Sequence, residues 1–226
     1  MIKGIILDFN GTLYLDHDLN HDAWEKAFNS VKTKESNKIY DDFEENIETL
    51  TKDYDYAKAI LDMFDKNSSK ENVIKLADYK EVEYRKMART LNRTEIMRGA
   101  PKLLDYLKEN NIKYCIASMA PRSNFNFYLD YLHLNKWFSY DNIVYDEEKY
   151  QNKNDQYIEA AKRMNLDLKE CLLIEDSPKV IDRAIELGID KIIYVNTKNK
   201  KYIAKEIIQE ISNFDELDLS ILKSKI

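Results

Sequence analysis

The chain has 226 residues, 44% hydrophobic and 34% charged, with a formal net charge of −6. That length suits one large domain or a core with a smaller insert. The acidic balance argues against a general nucleic-acid binder, which needs a basic face for phosphates, and no apolar run approaches the roughly 18 residues of a membrane-spanning helix.

The first apolar run is also too short for a signal peptide. The reading is a cytoplasmic protein with no membrane partner, present as a monomer or weak homodimer. Cys115 and Cys171 each lie inside an apolar run and read as reduced core residues. Without a secretion signal, the Asn-X-Ser/Thr patterns at Asn67 and Asn92 are chance matches.

A first buried strand over residues 4–8 delivers Asp8 to the turn Phe9-Asn10-Gly11-Thr12. The stretch between Thr12 and Arg98 contains no Gly or Pro, so helix breakers and turn signals are scarce. Its apolar residues recur at helical spacing: Ala23, Trp24, Ala27, Phe28 and Val31, then Ala57, Ile60, Leu61 and Phe64, then Val73, Leu76, Ala77, Met87 and Leu91. About four helices and no sheet are expected there. Beyond it, short apolar runs at 113–117, 143–145, 171–174 and 191–195 read as buried strands. They alternate with amphipathic helices at Pro101–Asn110, Asn124–Leu132, Asp155–Met164 and Lys179–Leu187. Pro101 and Pro178 suit first helical turns, and Gly188 a helix C-terminus. Residues from Asn213 onward read as a terminal strand or helix. Near-continuous apolar strands alternating with helices imply a parallel sheet covered on both faces. The fold class is therefore α/β, a Rossmann-like core of residues 1–14 and 94–226 with an all-helical insert at 15–93.

Parallel sheets collect functional residues at the C-terminal ends of their strands. Those ends carry Asp8 to Thr12, then Ser118, then Lys149 and Lys153, then Glu175-Asp176. Carboxylates at two strand ends suit a hard cation. Hydroxyls and a lysine suit phosphate oxygens, and a carboxylate can attack phosphorus.

These motifs, "DFNGTL", "IAS", "YQNKNDQ" and "LLIEDSP" in that order, resemble the haloacid dehalogenase-like hydrolase superfamily over nearly the whole chain. The segments "LNHDAWEKAF" and "KEVEYRKM" resemble its beta-phosphoglucomutase-like subgroup, in which a helical cap follows the first strand. The resemblance implies that Asp8 is the nucleophile and, with the Asn10 backbone carbonyl and Asp176, a Mg²⁺ ligand. Glu175 would lie near the metal. Thr12 and Ser118 would bind the phosphoryl group. Lys153 is favoured over Lys149 as the motif lysine. Lys80, and Arg122 or Asn124, would contact the rest of a small phosphorylated metabolite. The histidine usual four residues before the cap tryptophan is displaced: Asn20 holds that place and His21 follows it.

One position departs more sharply. Where most phosphatases and mutases of the superfamily have a second Asp as acid and base, this chain has Asn10. An amide keeps its hydrogen bonds but has no proton to trade. The expected activity is a Mg²⁺-dependent phosphatase with weakened acid–base help. A phosphomutase, another chemistry of the superfamily such as carbon–phosphorus cleavage, or a non-catalytic phospholigand-binding protein are the alternatives.

Overall fold

The structure, a computed structural model, describes residues 1–222 apart from 35, 47–49, 51 and 148. The chain divides into two compact units, Met1–Leu15 with Glu95–Ile226, and Asp16–Thr94. It opens with strand β1 (Gly4–Leu7), buried along its length.

The second unit is helical: α1 (His17–Val31), α2 (Tyr40–Asn46), α3 (Asp53–Met63) and α4 (Lys70–Thr90). The helical periodicity finds its purpose in the packing, because Trp24, Ala27, Phe28, Ala57, Ile60, Leu61, Val73 and Leu76 form one core. Phe28 meets Phe64 edge-on at 4.9 Å and Tyr40 at 5.7 Å. Ser69 caps α4 by accepting from the Asn72 N–H at 3.5 Å. Leu91 departs from the expected pattern: it lies past the end of α4 and is exposed. About three turns earlier the buried face of α4 carries charge instead, at Lys80 and Glu81.

On the same unit, His21 of α1 faces three acids. Its Nδ1 lies 3.3 Å from Asp22, and its Nε2 lies 3.4 Å from Asp41 and 3.5 Å from Glu44 of α2. Burial disfavours the imidazolium, but Asp22, Glu44 and Asp41 together outweigh it and raise the pKa above 6.5. A raised folded-state pKa means stability that is fully present below the unfolded value and lost as pH rises through the folded one. Thermal melts of wild type and His21→Ala from about pH 5 to about pH 9 should therefore differ most at the acid end and converge at the alkaline end. A difference independent of pH would remove the ion pairing from this account.

The first unit continues with α5 (Ala100–Glu109), β2 (Lys113–Pro121), α6 (Arg122–Tyr131), β3 (Ile143–Asp146), α7 (Lys153–Arg163), β4 (Cys171–Glu175), α8 (Pro178–Glu186), β5 (Ile192–Val195) and β6 (Ile207–Ile211). The strands form one six-stranded sheet ordered β3-β2-β1-β4-β5-β6, all parallel. Cys115 and Cys171 are free thiols inside it. Pro178 opens α8, and Gly188 follows its end at φ 100°. The order reverses at β1, which has β2 on one side and β4 on the other. Such a switch point is where parallel α/β sheets bind ligands.

Two features differ from the sequence-based expectation. Strand β6 was not expected. It sits at the sheet edge, and its residues alternate between half-buried and exposed up to Ile211; "IIQEI" therefore lacks the apolar continuity of the central strands. Strand β2 runs on through Ser118 to Pro121, with a register shift against β3 between Ala117 and Pro121. Ser118 thus lies at a break in the ladder rather than after the strand. Beyond Asn213 the chain forms short 3-10 turns at Phe214–Glu216 and Leu219–Leu222, and residues 223–226 lie outside the described part. Among the described residues no helix is long and apolar enough to cross a membrane.

Candidate active site

The site grows from the end of β1. The Asp8 N–H donates to the Ile174 carbonyl of β4 at 3.0 Å, which holds the two strand ends together. The chain then turns tightly: the Phe9 carbonyl accepts from Leu13 and Tyr14 at 2.9 Å, and the Gly11 N–H donates to Tyr14 at 2.7 Å. Gly11 has φ 83°, which a side chain would strain. The turn leaves Asp8 and Thr12 buried beside β4, and the Thr12 hydroxyl donates to Asp176 at 3.3 Å.

Helix α7 supplies the second layer. Its first residue, Lys153, is buried, with its ammonium on Asp8 Oδ1 and 3.8 Å from Glu175. Lys149 is exposed and pairs instead with Glu147. The helix begins at Lys153 because Asn152 caps it, accepting from the Asn154 N–H at 2.9 Å. One turn on, the same face presents two groups that motif reading passed over. Gln156 donates to the Ser118 carbonyl at 2.6 Å, and the Tyr157 hydroxyl donates to Glu175 at 2.8 Å. Residues i, i+3 and i+4 share a helix face, so a single turn of α7 touches the ends of β1 and β4 and the ladder break in β2. That spacing was the available signal, once Lys153 is taken as the start of the helix.

Glu175 is spoken for. Its Oε2 takes the tyrosine hydroxyl, and its Oε1 accepts the N–H groups of Asp176 and Ser177, each at 3.1 Å. It therefore shapes the loop that carries Asp176. Burial, with the Asp8 carboxylate next in size, pushes the Glu175 carboxyl well above its ordinary range. Burial also raises Asp8, against the pull of Lys153 and with a contribution from Asp176. Burial disfavours the Lys153 ammonium, but Asp8 and Glu175 more than restore it, and its pKa is raised.

Asp8 provides a test for a cation. Its Oδ2 is buried with no hydrogen-bond partner among the described residues. One oxygen each from Asp8, Glu175 and Asp176 lie within 4.8 Å of one another. A carboxylate with an orphaned oxygen, clustered with two more carboxylates, is a hard-donor set of the kind that Mg²⁺ takes. The residues fit such an ion.

Asn10 is held from two sides. Its Oδ1 accepts from Ser118 Oγ at 3.2 Å, and its Nδ2 donates to the Tyr128 hydroxyl at 3.3 Å. Tyr128 gave no sequence signal, since it is one of 16 tyrosines. Arg122 is exposed at the start of α6, with its guanidinium 4.8 Å from the Tyr140 ring and 5.8 Å from that of Tyr145. Asn124 is buried on the same helix. Lys80 belongs to the helical unit. Its Nζ lies 2.8 Å from Glu81 and 3.3 Å from Asp53, and 5.1 Å from the centre of the Trp24 ring. Two carboxylates already answer its charge there.

A parallel α/β sheet with a carboxylate, a lysine and an acidic pair gathered at its switch point defines a hydrolase-type core. A family model described as haloacid dehalogenase-like hydrolase matches residues 2–188. The chain belongs to that family of enzymes. Its fold is similar to that of a HAD hydrolase, family IA, variant 3, from Entamoeba histolytica, at TM-score 0.83 and 24% identity, covering 97% of this chain and 96% of that one. It is also similar to a beta-phosphoglucomutase from Clostridium difficile, at TM-score 0.76 and 23% identity, covering 98% and 96%. A third similar structure is an Asp-to-Asn mutant of CbbY from Rhodobacter sphaeroides in complex with xylulose-(1,5)bisphosphate, at TM-score 0.72 and 18% identity, covering 96% of each chain.

Proposed function

We propose that this chain is a Mg²⁺-dependent phosphatase acting on a small phosphorylated metabolite through an aspartyl phosphate on Asp8. The observation that carries this reading is the buried, unpartnered Oδ2 of Asp8, on a carboxylate whose other oxygen meets the Lys153 ammonium and which clusters with Glu175 and Asp176. In the first step Asp8 Oδ2 forms the bond to phosphorus, and the bond from phosphorus to the alcohol oxygen breaks with its electron pair on that oxygen. In the second, water attacks phosphorus, the bond from phosphorus to Asp8 Oδ2 breaks with its electron pair on that oxygen, and the proton of the water passes to solvent. Lys153 holds the Asp8 carboxylate through Oδ1 and leaves Oδ2 without a hydrogen-bond partner among the described residues. Thr12 and Ser118 would bind the phosphoryl oxygens by turning their hydroxyls from Asp176 and Asn10, which accept them here. Asp8, the Asn10 backbone carbonyl and Asp176 would hold a Mg²⁺ ion, with Glu175 behind them, and the bound ion supplies positive charge against the transferring phosphoryl group. Asn10 can stabilise the leaving oxygen only by hydrogen bonding, so the proton it needs comes from solvent. Substrate contacts by Lys80 and Arg122 belong to the same reading; Lys80 would share its charge with Asp53 and Glu81 while making one. Beta-phosphoglucomutase and the bisphosphate-bound CbbY mutant share the fold, and phosphorylated sugars are accordingly the first substrates to try.

The test is release of p-nitrophenol and of phosphate from p-nitrophenyl phosphate by fresh protein with Mg²⁺. Both products should appear together over many turnovers. A stoichiometric burst of p-nitrophenol alone means that Asp8 is phosphorylated but not hydrolysed. Silence across a broad panel of phosphate esters would leave ligand binding as the function. A mutase would instead return an isomeric phosphate with no free phosphate.

Mg²⁺ binding has its own readout. At about 100 times its Kd the ion should stabilise the protein by about 2.7 kcal/mol. The Tm should rise by several degrees over a sample in EDTA, and Asp176→Asn should abolish the rise. An equal rise in that variant would place the ion elsewhere.

A further inference from the structure

We propose that Tyr128 is a positioning residue that sets the orientation of the Asn10 carboxamide, and that it does so for the reaction proposed above, on which this inference rests. Tyr128 lies on α6 with its ring fully buried. The ring is anchored independently of its hydroxyl, with centroids 4.6 Å from Phe9, 5.5 Å from Phe125 and 5.9 Å from Tyr14. The hydroxyl accepts from Asn10 Nδ2 at 3.3 Å. On the other side Ser118 Oγ donates to Asn10 Oδ1 at 3.2 Å and is itself fixed by the Ala120 N–H at 3.1 Å. One partner for each end of the amide defines both its plane and which end carries the NH₂. This matters more for an amide than for a carboxylate. A carboxylate has two equivalent oxygens, whereas only one end of an amide donates. If Asn10 stabilises a developing negative oxygen, its NH₂ end must face that oxygen when the oxygen forms. A donor oriented in advance acts without reorganisation. Tyr128 reaches the reaction through its hydrogen bond to Asn10, and its ring packing is separable from its hydroxyl.

Tyr128→Phe keeps the ring and removes the hydroxyl. Its kcat should fall a few-fold to about tenfold, the worth of one hydrogen bond, with KM unchanged. In an Asn10→Ala background the same change should cost nothing. An equal loss in both backgrounds would overturn the proposal, because a merely structural effect does not depend on Asn10. A second measurement needs no turnover. In ¹H–¹⁵N spectra the Asn10 side-chain NH₂ should exchange with water more slowly than those of exposed asparagines, and faster in Tyr128→Phe. Unchanged exchange in the variant overturns the proposal. So does ordinary exchange in wild type, which also decides the matter if the variant does not fold. If wild type turns over no phosphate ester, the phosphatase reading fails, and the exchange measurement alone decides whether Tyr128 orients the amide.

Discussion

Asn10→Asp is expected to raise kcat by about 10²–10⁴-fold, the usual worth of general acid–base catalysis, or roughly 3–5 kcal/mol of barrier. The replacement is nearly isosteric, and its surroundings accept it. Ser118 Oγ already donates toward position 10, and the Tyr128 hydroxyl can rotate from accepting to donating. A carboxyl group there would protonate the leaving oxygen and later deprotonate the attacking water, the two tasks an amide cannot do. The gain should depend on substrate. An aryl phosphate has a good leaving group and needs little acid, so its first step should change least. An alkyl phosphate should gain most. Steady-state kcat on both ester types checks this, and no gain on either would mean that the reaction does not pass its proton through position 10. Fresh protein is required, because Asn-Gly sequences deamidate. Conversion of Asn10 to Asp in storage would mimic the variant, and intact mass would reveal it.

Asp8→Asn should have the larger effect in the opposite direction. Removing a covalent nucleophile costs on the order of 10⁶-fold in enzymes where it has been measured, so turnover should fall to background. The more telling readout is the first turnover. Wild type should release p-nitrophenol and gain the mass of one phosphoryl group on Asp8 when hydrolysis is slow. The variant should do neither, with or without Mg²⁺. A burst that survives in Asp8→Asn would move the nucleophile elsewhere and with it the whole reading of the site.

Some of this was legible along the chain. Runs such as Ile5-Ile6-Leu7 and Leu172-Leu173-Ile174 are apolar without alternation, since both faces of a central parallel strand are buried. The absence of Gly and Pro after Thr12, with apolar residues at helical spacing, marked a helical region. The placement of Asp8 and Glu175-Asp176 at strand ends followed from the same local patterns, whereas Ser118 lies inside β2, which runs on to Pro121. These are properties of short windows, and a short window carries its own periodicity.

What a window cannot carry is which elements become neighbours. Lys149 and Lys153 lie four positions apart, and only the docking of α7 against β1 puts Lys153 on Asp8 and leaves Lys149 exposed with Glu147. Gln156 and Tyr157 read as ordinary helix residues until the sheet order β2-β1-β4 brings three neighbouring strands beneath one helical turn. Strand β6 escaped notice because an edge strand buries less and keeps polar residues. Tyr128 meets Asn10 across 118 positions of sequence. Residue type and local spacing determined that a carboxylate chemistry stands at the ends of a parallel sheet. The strand order and the facing of α6 and α7 decided which side chains surround it, because packing at long sequence separation follows from how whole elements bury their apolar faces together.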